Sequence, residues 1–344
     1  MASKKTLTFI LFSAIVYASA QAETIVLNPS APERYVVVRG DTLWDIAERF
    51  LRDPWLWPEI WQVNPDIENP HLIYPGDVIV LTYDKDGRPR LTLQRGRPTV
   101  KLAPEARSTA LETAVPTIPL DAISQFLSNS RVMTGDEYER APYIVAFQDE
   151  RVIAAQTDKA YVRNLPESEQ SRFTIVRKGQ EFRDIEQSNK LLGYELIEIA
   201  TADLLKQGDP ASVFVSSARR EVRRNDRLYE EKDEVSPQSF TPHVPKDPIQ
   251  GTIIAVLDGV SRIGQYHVVV LNRGQEHGIE AGHILEIMQS GRIVRDGTQK
   301  IVLPDERAGV IMVFKTFSNL SYALVMKAER DMKVSDRFRS PSTL

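Results

Sequence analysis

The stretch from Tyr35 to Leu81 constrains the fold most, because two strand patterns and two helix patterns share fewer than 50 residues. The run Tyr35–Val38 is rich in β-branched residues and predicts a short strand, which the next three residues end with a turn. Thr42 is the expected N-cap of a first helix, and Asp45 is placed to complete a capping box with it. The start of this stretch therefore predicts a strand followed directly by a helix.

The second half of the stretch predicts another helix and another strand. Pro58 fits only the first turn of a helix, so we expect a second helix to begin there and to end at Asn64-Pro65. A loop follows over residues 72–77, and Val78–Leu81 predicts a strand that pairs with the first one. The predicted order is βααβ.

Three blocks in this stretch carry a resemblance to a known family. They are GDTLWDIA at residues 40–47, NP at 64–65 and LIYPGD at 72–77, in one order and at suitable spacing. The stretch thereby resembles the LysM domain, a small module that binds glycans containing N-acetylglucosamine. The resemblance implies a peptidoglycan-binding module over residues 33–83.

In that family the glycan lies in a shallow groove between the loop before the first helix and the loop before the last strand. Turns rich in glycine and proline expose backbone donors and acceptors, which suit an acetamido sugar. The alternative is that the glycines and prolines only form turns and that the apolar residues only fill a core. The residues that the resemblance assigns to the groove are Gly40, Asp41, Thr42, Leu43, Asn64, Pro65, Leu72, Ile73, Tyr74, Pro75 and Gly76.

All four tryptophans of the chain lie in this module, at Trp44, Trp55, Trp57 and Trp61. Trp61 follows apolar neighbours on the second predicted helix, so we expect it in the core. Trp55 and Trp57 fall between the helices and could be exposed, either as a sugar-stacking platform or as a protein contact. The sequence leaves these two roles open.

Residues 1–22 are predicted to be a signal peptide. Two lysines precede an apolar run that is short for a membrane span, and small residues at the end of the segment offer cleavage sites. The chain has no cysteine, which excludes a lipid-modified cysteine, and no other segment is apolar for long enough to cross a bilayer. With a wall-binding module, this predicts a periplasmic protein of a Gram-negative bacterium, and the net charge of −4 argues against a nucleic-acid partner.

The rest of the chain predicts a linker and two β-rich units. Residues 84–117 are rich in proline and basic residues and are expected to be a solvated tether. Short β-rich runs separated by turns then fill residues 118–235 and 249–344. The segments Ala211–Tyr229 and Ser321–Arg339 align without gaps, which favours two copies of one β unit. The predicted fold class is α+β, a small βααβ module followed by two antiparallel β-rich units.

The sequence offers few signs of catalysis or of a bound cofactor. His277, Glu280 and His283 have a spacing that suits a metal, but glycine-rich turns leading into a strand account for it better. Without cysteine there is no papain-like peptidase, and the five histidines form no zinc-peptidase motif. We therefore expect no cofactor, no metal and no catalytic residue, although a catalytic glutamate of the lysozyme kind leaves no motif.

The whole arrangement resembles a narrower family, the LysM proteins associated with type IV pilus secretins (TsaP-like). The blocks that carry this resemblance are Phe173–Gly179, Val268–Ile287, Leu303–Gly309 and Val313–Ala328. The same region is similar to part of a periplasmic flagellar-ring protein. The resemblance implies a non-catalytic anchor that holds an outer-membrane secretin ring to the cell wall. The alternatives are a wall hydrolase or hydrolase activator, and a component of a flagellar or other envelope-spanning machine.

Overall fold

The computed structural model describes residues 25–62, 72–95, 114–167, 170–230, 240–257, 262–296 and 299–341. Strands hold 47% of the described residues and helices 13%. The predicted α+β class is therefore wrong, and the chain is mostly β. The prediction gave too much weight to the two helices of the N-terminal module, because that module is only a small part of the chain. The predicted signal peptide, residues 1–22, lies outside the described residues.

The N-terminal module contains a three-stranded antiparallel sheet and two short helices. Its elements are β1 Arg34–Val36, α1 Leu43–Phe50, α2 Trp57–Gln62, β2 Val78–Tyr83 and β3 Pro89–Gln94, with a 3₁₀ turn at Pro54–Leu56 before α2. The predicted capping box is confirmed at the start of α1. The Asp45 amide donates to the Thr42 hydroxyl over 3.1 Å, and the Thr42 amide donates to the Asp45 carboxylate over 3.1 Å.

Strand β3 lies in the segment that we expected to be a tether. Asp84 accepts backbone hydrogen bonds from Asp86 and Arg88 in a tight turn, and Gly87 supplies the left-handed conformation that the turn requires (φ +76°). Leu91 then points into the core and is fully buried. Arg90 in β3, with Arg88 and Arg95 on either side of the strand, gave the segment the basic character of a tether and hid this alternation. The sheet therefore extends beyond the expected module.

Three of the four tryptophans are buried. Trp44, Trp55 and Trp57 are 1%, 6% and 1% exposed. The possibility that Trp55 and Trp57 are exposed is therefore excluded, because the 3₁₀ turn at Pro54–Leu56 folds both side chains into the core of the module. The side chain of Trp61 lies outside the described part of the structure.

The first β-rich unit is a ring of six strands with a seventh at its edge. Its helices are α3 Leu120–Asn129 and α4 Gly135–Arg140, and its strands are β4 Arg131–Met133, β5 Tyr143–Phe147, β6 Ile153–Ala154, β7 Lys159–Arg163, β8 Arg172–Asp184, β9 Lys190–Lys206, β10 Ala211–Ala218, β11 Val222–Arg223 and β12 Arg227–Glu230. The order is β10-β7-β5-β12-β8-β9, and β9 also pairs with β10, which closes the ring. Strand β4 pairs with the far half of β9.

The second β-rich unit is a closed six-stranded barrel. Its strands are β13 Gln250–Val256, β14 Val268–Leu271, β15 Ile284–Gln289, β16 Ile293–Asp296, β17 Gln299–Val302, β18 Glu306–Thr316, β19 Ser321–Ala328 and β20 Arg337–Arg339. The barrel order is β13-β14-β19-β18-β15-β20. Strands β16 and β17 form a separate hairpin that projects from it.

The two barrels share one strand order, since β10, β7, β5, β12, β8 and β9 correspond to β19, β14, β13, β20, β15 and β18. The aligned segments also share backbone contacts. The amides of Arg219 and Arg220 donate to the Ile199 carbonyl, as those of Glu329 and Arg330 donate to the Ala308 carbonyl. The predicted duplication is confirmed, and it extends from the aligned segments to whole barrels.

The N-terminal module packs against the second barrel. A continuous apolar core joins the helices of the module to α3 and to the barrel. At its margin, the Tyr266 hydroxyl donates to Asp45 over 3.3 Å, and Lys327 pairs with Glu48 at 2.9 Å. Among the described residues, no helix combines the length and the apolar character needed to cross a bilayer.

Candidate functional site

Two loops of the N-terminal module lie side by side and form its groove. The first precedes α1 and contains Gly40, and the second precedes β2 and contains Gly76. The Gly76 amide donates to the Val37 carbonyl and the Val37 amide to the Asp77 carbonyl, both over 2.8 Å. Both glycines have φ values near +100°, where a side chain would be strained. The resemblance assigned these two loops to the glycan, and the fold brings them together.

Asp41 and Thr42 hold the first loop in shape. The Asp41 carboxylate accepts hydrogen bonds from the Tyr35 hydroxyl and the Val38 amide, both over 2.9 Å, and the residue is 8% exposed. Burial and this carboxylate raise the pKa of Tyr35. Thr42 is buried and its hydroxyl belongs to the capping box. The side chains of these two residues therefore shape the groove rather than reach into it.

Leu43 and Ile73 contribute backbone groups, because both side chains are buried in the core. Leu72 is 43% exposed beside them. Tyr74 and Pro75 are half-buried, and the Tyr74 amide donates to the Asp77 carboxylate over 3.0 Å. Asn64 and Pro65, which the resemblance also assigned to the groove, lie outside the described residues.

A segment from the expected tether lies in this groove. The Val115 amide donates to the Ile73 carbonyl over 2.9 Å, on the wall formed by the second loop. The amides of Leu43 and Trp44, on the other wall, donate to the carbonyls of Pro116 and Thr117 over 2.9 and 3.2 Å. The groove thus binds peptide backbone of its own chain.

Sequence reasoning missed Val115, Pro116 and Thr117, and also the amide of Trp44. The run VPTI at residues 115–118 is apolar and β-branched inside a polar, basic tether, which is the one signal that it is ordered. Nothing in that run indicates where it binds, because its groove contacts are made by backbone atoms.

The potential metal ligands that lie close together near the second barrel are not the three that the sequence spacing suggested. His243, Glu280 and His283 offer ligand atoms within 4.8 Å of one another, whereas Nδ1 of His277 accepts a hydrogen bond from the Gly274 amide. Nδ1 of His283 accepts from the Glu280 amide over 3.1 Å, so its neutral ring carries the proton on Nε2. A ring fixed in this state has no free lone pair for a metal.

The burial of His283 predicts acid sensitivity. Burial and the neighbouring His243 lower the pKa of His283, with an opposing effect from Glu280. The unfolded chain therefore binds this proton at a higher pH than the folded chain. We expect the free energy of unfolding to fall as the pH drops below about 6.5, by at most about 1.4 kcal/mol per pH unit for this group.

Urea unfolding at pH 7.5, 6.5 and 5.5 measures this dependence. The His283→Asn variant is the matched comparison, because its amide oxygen can accept the Glu280 amide and does not titrate. We expect a shallower pH slope for the variant than for the wild type. Identical slopes would show that His283 does not carry the effect.

Comparison with known proteins identifies the N-terminal module. The LysM domain model matches residues 35–82, so the chain contains a LysM domain, which indicates binding to peptidoglycan or a related carbohydrate. The chain is also similar to the uncharacterized protein YqbP of Bacillus subtilis (strain 168), with 44% identity over 59 residues. That match covers 14% of this chain and 27% of the relative, so it reaches only about a quarter of the relative's length.

Proposed function

We propose that this chain is a non-catalytic periplasmic protein that binds peptidoglycan through its LysM domain and anchors an outer-membrane secretin to the cell wall. The observation that carries the first half is the LysM match at residues 35–82, together with the two adjacent loops that contain Gly40 and Gly76. The second half rests on the resemblance to the secretin-associated LysM proteins.

The groove suits an acetamido sugar for a chemical reason. An N-acetyl group carries one amide donor and one amide acceptor, and the groove offers the Ile73 carbonyl on one wall and the amides of Leu43 and Trp44 on the other. These amides are the first two of α1, and helix geometry leaves such groups without a partner inside the helix. The groove therefore recognises the acetamide through backbone groups.

The duplicated barrels supply the part of the protein that holds the partner in this proposal. The β16–β17 hairpin exposes four large apolar side chains, Ile293, Val294, Ile301 and Val302, at 66%, 38%, 42% and 67%. Exposed apolar groups on a projecting hairpin favour a protein contact, because water is a poor solvent for them. We assign the secretin contact to this hairpin.

Sacculus binding tests the wall half of the proposal. Purified full-length protein is sedimented with isolated sacculi, and the supernatant is analysed for soluble muropeptides. We expect the protein in the pellet and no released sugar. Protein that stays in the supernatant contradicts wall binding, and released muropeptides show a hydrolase.

Substitution of the hairpin tests the partner half. The double variant Ile293→Lys/Val302→Lys is expected to lower co-purification with the secretin at least tenfold and to leave sacculus sedimentation unchanged, because the groove lies on another domain. Val152→Lys is the matched control, since Val152 is 79% exposed on the first barrel. Equal secretin recovery from all three proteins would contradict the hairpin assignment.

A further inference from the structure

The LysM groove of this chain already contains an occupant of the right chemistry. Residues 115–117 make one backbone hydrogen bond to the wall formed by the second loop and two to the opposite wall, at the start of α1. We propose that this segment, here called the groove segment, competes with glycan for the LysM site, so that a glycan must displace it in order to bind. The inference rests on the proposed function, because it concerns the regulation of the same site.

The groove segment presents the same pair of groups as an acetamide. The Val115 amide is the donor to Ile73, and the Pro116 carbonyl is the acceptor from Leu43. Each backbone amide of the groove has a single hydrogen to donate, and that of Leu43 is already used over 2.9 Å. An acetamide oxygen can accept from that amide only after the Pro116 carbonyl has left.

The sequence of the groove segment favours the bound conformation before it binds. Val115 precedes a proline, which restricts it to extended backbone, and Thr117 is β-branched. The side chains are held as well, since Val115 is 6% and Thr117 4% exposed. A segment that is extended in advance loses little conformational freedom on docking, which strengthens its competition with the glycan.

The groove segment is tied to the second barrel by the residues that follow it. Ile118 is fully buried in the core shared with the module, and α3 begins two residues later. At the other end of α3, the Lys315 ammonium of the barrel donates to the carbonyls of Phe126 and Leu127 over 3.4 and 3.1 Å. Displacement is therefore confined to the few residues before Ile118, which keeps the segment close to the groove.

The expected size of the effect follows from this tethering. A segment held beside its site has an effective concentration in the millimolar range, far above that of a free peptide. Three hydrogen bonds and two buried side chains then compete with every glycan. We expect release of the groove segment to tighten glycan binding about tenfold or more.

Calorimetric titration with the β-1,4-linked tetramer of N-acetylglucosamine tests the competition. The full-length variant Val115→Gly/Thr117→Gly, which loses both the extended preference and the buried side chains, should bind at least tenfold more tightly than the wild type. The control Val152→Gly, at an exposed position of the first barrel, should match the wild type. Unchanged tryptophan fluorescence shows that the module has remained folded, since all four tryptophans lie in it.

The possible outcomes distinguish a failure of this inference from a failure of the proposed glycan binding. Equal affinities for the double variant and the wild type would overturn the competition and leave glycan binding intact. If the wild type, the double variant and the Val152→Gly control all failed to bind the tetramer, both the proposed function and this inference would be contradicted.

Amide hydrogen exchange on the wild-type protein gives a second, independent test. At saturating tetramer, the Val115 amide should lose its protection while the amides of Leu43 and Trp44 stay protected by the sugar. Bound tetramer with the Val115 amide still protected would place the glycan elsewhere and overturn the proposal.

Discussion

Replacement of Gly40 by tryptophan is expected to abolish sedimentation of the protein with sacculi. Gly40 is exposed at the first loop of the groove, with a φ of +99° and open space around the position of a Cβ atom. An indole at this position extends into that space and covers the groove, so the loss of binding should be at least a hundredfold for the isolated chain.

The strain of a side chain at positive φ, about 1–3 kcal/mol, also accompanies this substitution. Gly87→Trp separates the two effects. Gly87 has a φ of +76° and the same open surroundings, but it lies in the β2–β3 turn rather than in the groove. We expect this variant to share the loss of stability and to bind sacculi normally. Wild-type sedimentation of Gly40→Trp would show that the groove assignment is wrong.

Substitution of Asp226 by asparagine is expected to lower the free energy of unfolding of the first barrel by about 3 kcal/mol. Asp226 is 2% exposed and forms a two-pronged ion pair with Arg177, with both contacts at 2.7 Å. It also accepts the Arg223 amide over 2.7 Å. Asparagine would leave the guanidinium without a charged partner and turn an amide donor toward it.

The equivalent position in the second barrel provides the control. Asp336 accepts the Lys333 amide over 2.9 Å, as Asp226 accepts that of Arg223, but burial raises the pKa of Asp336. Burial thus raises the free-energy cost of ionising Asp336, and asparagine can keep its hydrogen bond to the Lys333 amide. We expect Asp336→Asn to change stability by less than about 1 kcal/mol in urea unfolding followed by circular dichroism. Equal losses for the two variants would contradict the role given to the Arg177 pair.

Local features of the module could be predicted because specific side chains encode them. The Thr42–Asp45 capping box is confirmed, as is a helix with Pro58 in its first turn. The duplication was visible in the aligned segments, because the same turn needs the same aspartate in both copies. Strand β3 and the burial of Trp55 and Trp57 were missed, since both depend on how the chain folds back onto the core.

The occupant of the groove could not be predicted from the sequence. Its contacts use backbone amides and carbonyls, which nearly every residue possesses, so no pattern of letters marks them. Asp41 and Thr42 were assigned to the groove as possible glycan contacts. Their side chains instead form hydrogen bonds within the first loop and in the cap of α1. The three-dimensional arrangement was needed to show which groups of the groove remain for a ligand.

The most direct test of the account is a pair of calorimetric titrations of the full-length protein. The two ligands are the β-1,4-linked tetramers of N-acetylglucosamine and of glucose, which differ in the acetamide. We predict measurable binding of the first and none of the second, because in the proposed function the groove recognises the acetamide. Equal binding of both tetramers, or no binding of the acetamido tetramer by the wild type and by Val115→Gly/Thr117→Gly, would contradict the account.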